Sequence, residues 1–382
     1  MRTTCRAHAL RRTSLAVGLV LHASTLAAQT PPGAPIPADH LARAIAPGRD
    51  LLDSLVRTEG LPGLQVAVLV RGQLAWSEGF GYSNVETKTP ITPLSRFRVG
   101  SVAKPLTAAA LARLVEAGRV DLDAPVQTYV PGFPEKRWPV TTRQLAGHLA
   151  GIRHYRGEEF LSTRRYDTVA EGLEIFADDS LLFEPGTRYS YSSYGWNLIS
   201  AVIESAAGEP FLEVMRRTVF EALDLAHTVA DFTDSLVAYR TSYYIQGEGR
   251  TLLNAPYVDN SYKWAGGGFL STAEDLVRFA DAHARPGFLE TGTLELLFRS
   301  QRTSDGRETN YGIGWGTRTD EAGRRVVSHS GGSVGGTTML LLYPEERVAV
   351  AMIVNMSSAP GGRLATRIAE PFLSLISGGG ER

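Results

Sequence analysis

Thiol chemistry is all but missing from this chain, whose 382 residues hold a single cysteine, Cys5. A disulfide framework is therefore excluded, and so is a cysteine nucleophile anywhere in the body of the protein. Net charge is missing as well: 39 Lys and Arg against 40 Asp and Glu leave −1 at pH 7. No global positive field draws the molecule to nucleic acid or to an anionic membrane. After residue 28 no apolar run approaches the roughly 20 residues that a membrane-spanning helix needs. What is present is ordinary globular material, 43% hydrophobic and 21% charged, enough for a large core or two packed lobes.

The N-terminus has a different composition. Arg2, Arg6, Arg11 and Arg12 precede an apolar run from Leu15 to Ala28 that ends in small residues before Gln29. This pattern predicts a secretory signal peptide over 1–28, followed by a Pro-rich spacer over 29–38. The Arg11-Arg12 pair does not by itself specify twin-arginine export, so the general secretory route is expected. An organellar import signal is the alternative for an Arg-rich, acid-free segment. Cys5 lies upstream of the apolar run, which argues against lipid attachment at the cleavage site. The expected destination is the periplasm or the medium.

Hydrophobic periodicity then predicts a helix over His40 to Thr58 and a hairpin of Leu64 to Val70 with Gln73 to Phe80 around Arg71-Gly72. Another helix is expected from Ser101 to Ala117, with Ala108, Leu111, Leu114 and Val115 on one side and Gly118 as its stop. The middle reads as loops and helices: Ser192 to Ala207, Phe211 to Ala222, and Ala273 to His283 opened by a Ser271/Glu274 capping box. Strands return at Gly312 to Gly316, Arg324 to Ser328, Thr337 to Tyr343 and Val348 to Asn355, before a helix from Leu364 to Ile376. Strands at both ends around a helical middle imply an α+β fold whose antiparallel sheet is completed by both chain ends. The expected division is a sandwich lobe of 39–104 and 299–382 and a mainly helical lobe of 105–298, forming one catalytic domain with its site between the lobes.

Ser101-Val102-Ala103-Lys104 is an S-x-x-K sequence at a helix start, a spacing that puts the hydroxyl and the amine on one helical face. The N-terminal N–H groups favour an oxyanion there, and a lysine, ordinarily near ~10.4, becomes a base at neutral pH only if buried or crowded by another cation. Taken alone the tetrapeptide is as well explained by a capped helix with a solvated lysine. Two further motifs follow in order, Tyr191-Ser192-Ser193 and His329-Ser330-Gly331-Gly332, the latter at the end of a predicted strand.

With these three motifs the chain resembles the serine β-lactamase-like family of class C β-lactamases, D,D-carboxypeptidases and related esterases and peptidases. Within it, the blocks Pro256 to Thr272 and His148 to Tyr155 are most similar to the branch of the mitochondrial β-lactamase-like serine protease. The resemblance spans nearly the whole chain after residue 28 and implies a β-lactamase/transpeptidase-like fold. It also implies that Ser101 attacks, that Lys104 and Tyr191 share proton transfer, and that the N–H groups of Ser101 and Gly332 form the oxyanion hole. Ser330 and Gly331 would line the substrate site, and no metal or cofactor would be required. Two positions depart from the commonest family pattern. Ser193 stands where an Asn helps to orient substrate, and His329 stands where a Lys attracts a substrate carboxylate.

Other readings of the same residues are weaker. Tyr191 lies among Tyr189, Tyr194 and Trp196, where a tyrosine by itself reads as packing. His148 and His154 do not share a helical face and have no acidic partners, which predicts structural hydrogen bonding in place of metal binding. Gly266 to Gly268 lacks the Lys and helix of a phosphate loop and reads as close backbone approach. Gly331-Gly332-Ser333-Val334-Gly335 satisfies G-x-S-x-G, but a strand-like segment follows it and no later histidine exists, so the nucleophile elbow of an α/β-hydrolase is not expected. The sequence thus points to an exported serine hydrolase that acts on a peptide or a small amide or ester, with nucleic acid excluded and a homo-oligomer allowed. Esterase, β-lactamase and D,D-carboxypeptidase activities, or a non-catalytic binding or assembly role on the same fold, are the alternatives.

Overall fold

The computed structural model describes Met1 and residues 36–377. The segment expected to be a signal peptide, Cys5, and most of the spacer lie outside the described residues. Residues 36–377 form one compact body.

Its centre is a seven-stranded antiparallel sheet in which Gly63–Val70 pairs with Gln73–Asn84 on one side and with Val348–Val354 on the other. The register runs from Leu64 opposite Val354 to Val70 opposite Val348, so the two ends of the chain close the sheet together. Arg71 and Gly72, both at positive φ, make the hairpin turn between paired Val70 and Gln73. Both central strands are buried along their whole length. Their period-2 pattern explains this: Val66, Val68, Val350 and Met352 point to one face, packed with Leu52, Ile368 and Phe372 of the terminal helices Ala38–Thr58 and Gly362–Ser377. Ala67, Leu69, Ala349 and Ala351 point to the other, packed with Leu276, Phe279 and Ala280 of helix Ala273–Ala282.

That last helix falls within the stretch expected to form the helical lobe, yet it is tied to the sheet. Gln65 accepts the Ala273 N–H at 2.5 Å, and Ser77 donates to Glu274 at 2.6 Å. Its cap also differs from expectation. Thr272, not Ser271, is the N-cap and accepts from the Asp275 N–H, because T-x-x-D fits the same motif one residue later and leaves Glu274 facing the sheet.

Two strand boundaries move for physical reasons. Gly312 to Gly316 is not a strand: Gly312 N–H closes a tight loop onto the Trp315 carbonyl at 2.8 Å, and the strand is Gly316–Thr319. The apolar residues there fill the core from a loop, with Trp315 stacked on Phe279. The strand predicted to stop at Ser328 runs over Arg325–Ser333 and includes the whole His329 motif. Phe211 to Ala222 begins as the α-turns Phe211–Met215 and continues as a π-turn over Arg216–Phe220.

In the helical region, the first ten residues of helix Ala103–Glu116 are enclosed on all sides, beyond the single apolar face expected: every residue from Ala103 to Ala112 is buried. Its run of alanines allows that close packing. It lies beside Ser193–Ala207, which carries the fully buried Trp196. Among the described residues no helix is long and apolar enough to cross a membrane.

Candidate active site

Ser101 sits in a 3₁₀ turn, Gly100–Val102, that leads into helix Ala103–Glu116. The strand Arg325–Ser333 lies directly on this turn. A Cβ on Gly331 would come 2.0 Å from the Val99 carbonyl oxygen, and one on Gly100, at φ +52°, would meet the Gly332 backbone at 2.6 Å. These contacts explain the glycines at 331 and 100: a side chain at either would push the strand off the serine turn. On its other side Gly332 faces open space. Pro105 falls in the first helical turn, where its missing N–H leaves no hydrogen bond unmade.

Lys104 is fully buried, with Nζ 3.0 Å from Ser101 Oγ, 3.0 Å from Ser193 Oγ and 2.8 Å from the Gly266 carbonyl oxygen. Burial, and then the charge of Lys263, hold its pKa well below the usual lysine value. A neutral amine has two N–H groups and one lone pair. Gly266 can only accept, and the Ser193 hydroxyl accepts the second N–H, which leaves the lone pair for the Ser101 proton. Ser193 is thereby engaged with the lysine as well as exposed to the cleft.

Tyr191 places its ring 4.9 Å from Lys104 Nζ, and Ser101 is among the groups that act on its phenol. Burial pushes its phenol above the ordinary value, so it keeps its proton where Lys104 gives one up. Two histidines fix the backbone that follows it. Nδ1 of His148 accepts the Ser192 N–H at 3.1 Å, and Nδ1 of His154 accepts the Ser193 N–H at 3.1 Å. Each bond needs an unprotonated ring nitrogen, and burial with nearby Lys104 lowers His148 well below its usual value and His154 to about 4. Ser192 completes the arrangement by capping helix Ser193–Ala207.

His329 is buried and saturated. Its Nδ1 donates to the Ser330 carbonyl at 2.6 Å and its Nε2 accepts from the Tyr311 hydroxyl at 2.9 Å. Burial, assisted by Lys104, lowers its pKa to about 3, so it is a neutral ring. In this state it offers a substrate carboxylate no charge.

These groups border a cleft of about 610 Å³. Of the residues singled out by sequence, Ser101, Ser193, Ser330, Gly331 and Gly332 line it, whereas Lys104, Tyr191 and His329 stand behind its surface. Sequence reasoning missed Lys263, which lines the cleft within the Pro256 to Thr272 block, and Tyr311, which occupies His329. Among the described residues no three His, Cys, Asp or Glu side chains gather to hold a metal.

A family model described as Beta-lactamase matches residues 21–371. The chain is 33% identical over 439 residues to the serine beta-lactamase-like protein LACTB, mitochondrial, of Homo sapiens, covering 87% of this chain and 80% of that protein. It is 29% identical over 317 residues to a D-aminopeptidase of Gluconobacter oxydans (strain 621H), covering 78% of this chain and 56% of that protein. Among solved structures, the octameric penicillin-binding protein homologue from Pyrococcus abyssi aligns with a TM-score of 0.73 at 26% identity, over 87% of this chain and 77% of that one.

Proposed function

The chain belongs to the Beta-lactamase family, and from that premise we propose that it is a serine hydrolase that forms an acyl-enzyme on Ser101 and cleaves an amide or ester, foremost a peptide. The observation that carries this reading is the Lys104 amine 3.0 Å from Ser101 Oγ, buried so that its neutral form is favoured.

In acylation, Ser101 Oγ attacks the substrate carbonyl carbon while its proton passes to Lys104 Nζ. The oxyanion is met by the N–H groups of Ser101 and Gly332. On collapse, the carbon–nitrogen or carbon–oxygen bond breaks and Tyr191 gives its proton to the leaving group, to be reprotonated from Lys104. Water then attacks the ester, its proton leaves through the same pair, and Ser101 is released. The saturated, neutral His329 weakens the case for penicillin-type recognition from the strand side and supports peptidase or esterase activity over β-lactam hydrolysis. Export to the periplasm or medium rests on the N-terminal pattern alone, and N-terminal sequencing of the recovered protein tests it.

A fluorophosphonate probe provides the test of mechanism. Wild type is expected to label once per chain and Ser101→Ala not at all. Equal labelling of Ser101→Ala would overturn the assignment, and absence of labelling by every acyl-serine probe would leave a non-catalytic binding role in its place. A parallel screen of a p-nitrophenyl ester, nitrocefin, a D-Ala-D-Ala peptide and a peptide library then chooses the substrate class.

A further inference from the structure

Lys263 is 2% exposed, lines the cleft together with Ser101 and Ser193, and its Nζ has no hydrogen-bond partner among the described residues. Three aromatic faces surround it, Phe160 at 4.2 Å, Tyr262 at 5.0 Å and Tyr155 at 5.4 Å. Such faces attract a cation, but they do not replace the oxygen acceptors that three N–H groups lose on leaving water. The acid that acts on it electrostatically, Asp231, is already engaged by Arg98 at 2.7 Å and by Asn260 at 2.7 Å. A buried ammonium without an acceptor is costly, and the open side of this one is the substrate cleft.

We infer that Lys263 is a specificity-determining residue that receives a carboxylate of the substrate, so that the enzyme selects acidic peptides or esters. The inference rests on the acyl-serine reading above and names the substrate class of that same site. A carboxylate entering the cleft would supply the missing acceptors in a charge-assisted hydrogen bond, inside a cage that excludes water. Opposite charge would also favour the protonated lysine, which burial and Arg98 otherwise hold to about 7. The rival role, a lysine that only locks aromatic rings together, would make no distinction between acidic and neutral substrates.

Two matched substrate pairs decide between these roles. Mono-p-nitrophenyl adipate against p-nitrophenyl hexanoate places the carboxylate on the acyl side, and 4-acetoxybenzoate against 4-acetoxybenzamide places it on the leaving side. In wild type the acid is expected to exceed its neutral partner in kcat/KM by about tenfold or more in one pair, and in Lys263→Met that ratio should fall toward one. Because the ratio is taken within each protein, a reduced folded fraction cancels. Wild type without preference in either pair, or a preference that survives in Lys263→Met, overturns the inference while leaving fluorophosphonate labelling of Ser101 intact. If no ester is turned over, thermal shifts with adipate against adipamide on the same two proteins give the decision: a shift by adipate alone that Lys263→Met abolishes supports the inference, and equal or absent shifts overturn it.

Discussion

Across the cleft from each other stand two walls that meet at Ser101 and differ in almost every property. The helical wall brings Lys263 among Tyr155 and Phe160, with Lys104 immediately behind it. The strand wall brings Ser330, Gly331, Gly332, Thr337 and Thr338, and its one titratable ring, His329, is neutral and turned into Tyr311. One wall offers side-chain charge and the other offers main chain laid close to Ser101. The division follows from what each element can do. Where the strand presses on the serine turn, at Gly331, there is no room for a side chain, whereas helix ends and short turns can place long side chains at the same depth. A fixed cation at position 329, as in the commonest family pattern, would add to the cations acting on Lys104. With His329 neutral, burial and then Lys263 lower the Lys104 pKa, so the cation that acts on Lys104 comes from the helical side.

The contrast breaks most severely if Lys104, the proposed base, is removed. Lys104→Met should lower kcat/KM on any substrate by about a thousandfold or more, since neither His329 nor the proton-retaining Tyr191 can replace it. Lys104→Arg should fare no better, because a guanidinium stays charged. The pH profile carries the same information. As pH falls through the lowered Lys104 pKa the amine gains a proton and loses the capacity to accept one, so the acid limb of kcat/KM should lie well below the usual lysine value. An acid limb near ~10.4 would mean a solvated lysine and no base.

A smaller effect sharpens the statement that the histidines of both walls are neutral. The folded-state pKa of His154 is about 4 and that of His329 about 3, each depressed by burial, and His283, buried between Phe279 and Trp315, is likewise near 4. Unfolded histidine titrates near ~6.5, so between that value and about 4 the unfolded chain binds more protons than the folded one. Stability from this source is complete above ~6.5 and is lost as pH falls. Lowering the pH from 7 to 5 should therefore lower Tm by roughly 5 °C or more, before most carboxylates titrate. His283→Gln, remote from both walls, should flatten part of that slope. An unchanged Tm across the interval would show these rings to be exposed or already charged.

What could be read from the sequence depended on how local its cause was. The Ser101 to Lys104 spacing, the Arg71-Gly72 hairpin and the chain-end strands follow from neighbours along the chain. The N-cap moved from Ser271 to Thr272, whose hydroxyl accepts the Asp275 N–H, while Glu274 is taken by Ser77. The strand expected to end at Ser328 continues to Ser333 because it pairs with Gly336–Tyr343, and the Val99 carbonyl, where a Cβ on residue 331 would be, accounts for the glycine there. Lys263 was invisible for the opposite reason. Nothing in its sequence neighbours says that an amine there ends up without an acceptor in a cage of rings drawn from residues 155 to 262.

The smallest expected effect tests whether the strand wall holds any reactive side chain. Ser333 completes a G-x-S-x-G sequence and lines the cleft, so by pattern and place it is a rival nucleophile. Its surroundings argue otherwise. The hydroxyl is buried with no hydrogen-bond partner among the described residues, and the chain after it forms the strand Gly336–Tyr343 where a nucleophile elbow requires a helix. The last histidine, His329, precedes it and is occupied by Tyr311 and the Ser330 carbonyl. Removing an unsatisfied buried hydroxyl is close to neutral for stability. Ser333→Ala should accordingly keep its Tm and turn over a p-nitrophenyl ester within about threefold of wild type, while Ser101→Ala loses turnover altogether. The reverse pair of results would move the nucleophile onto the strand and dissolve the division of labour between the two walls.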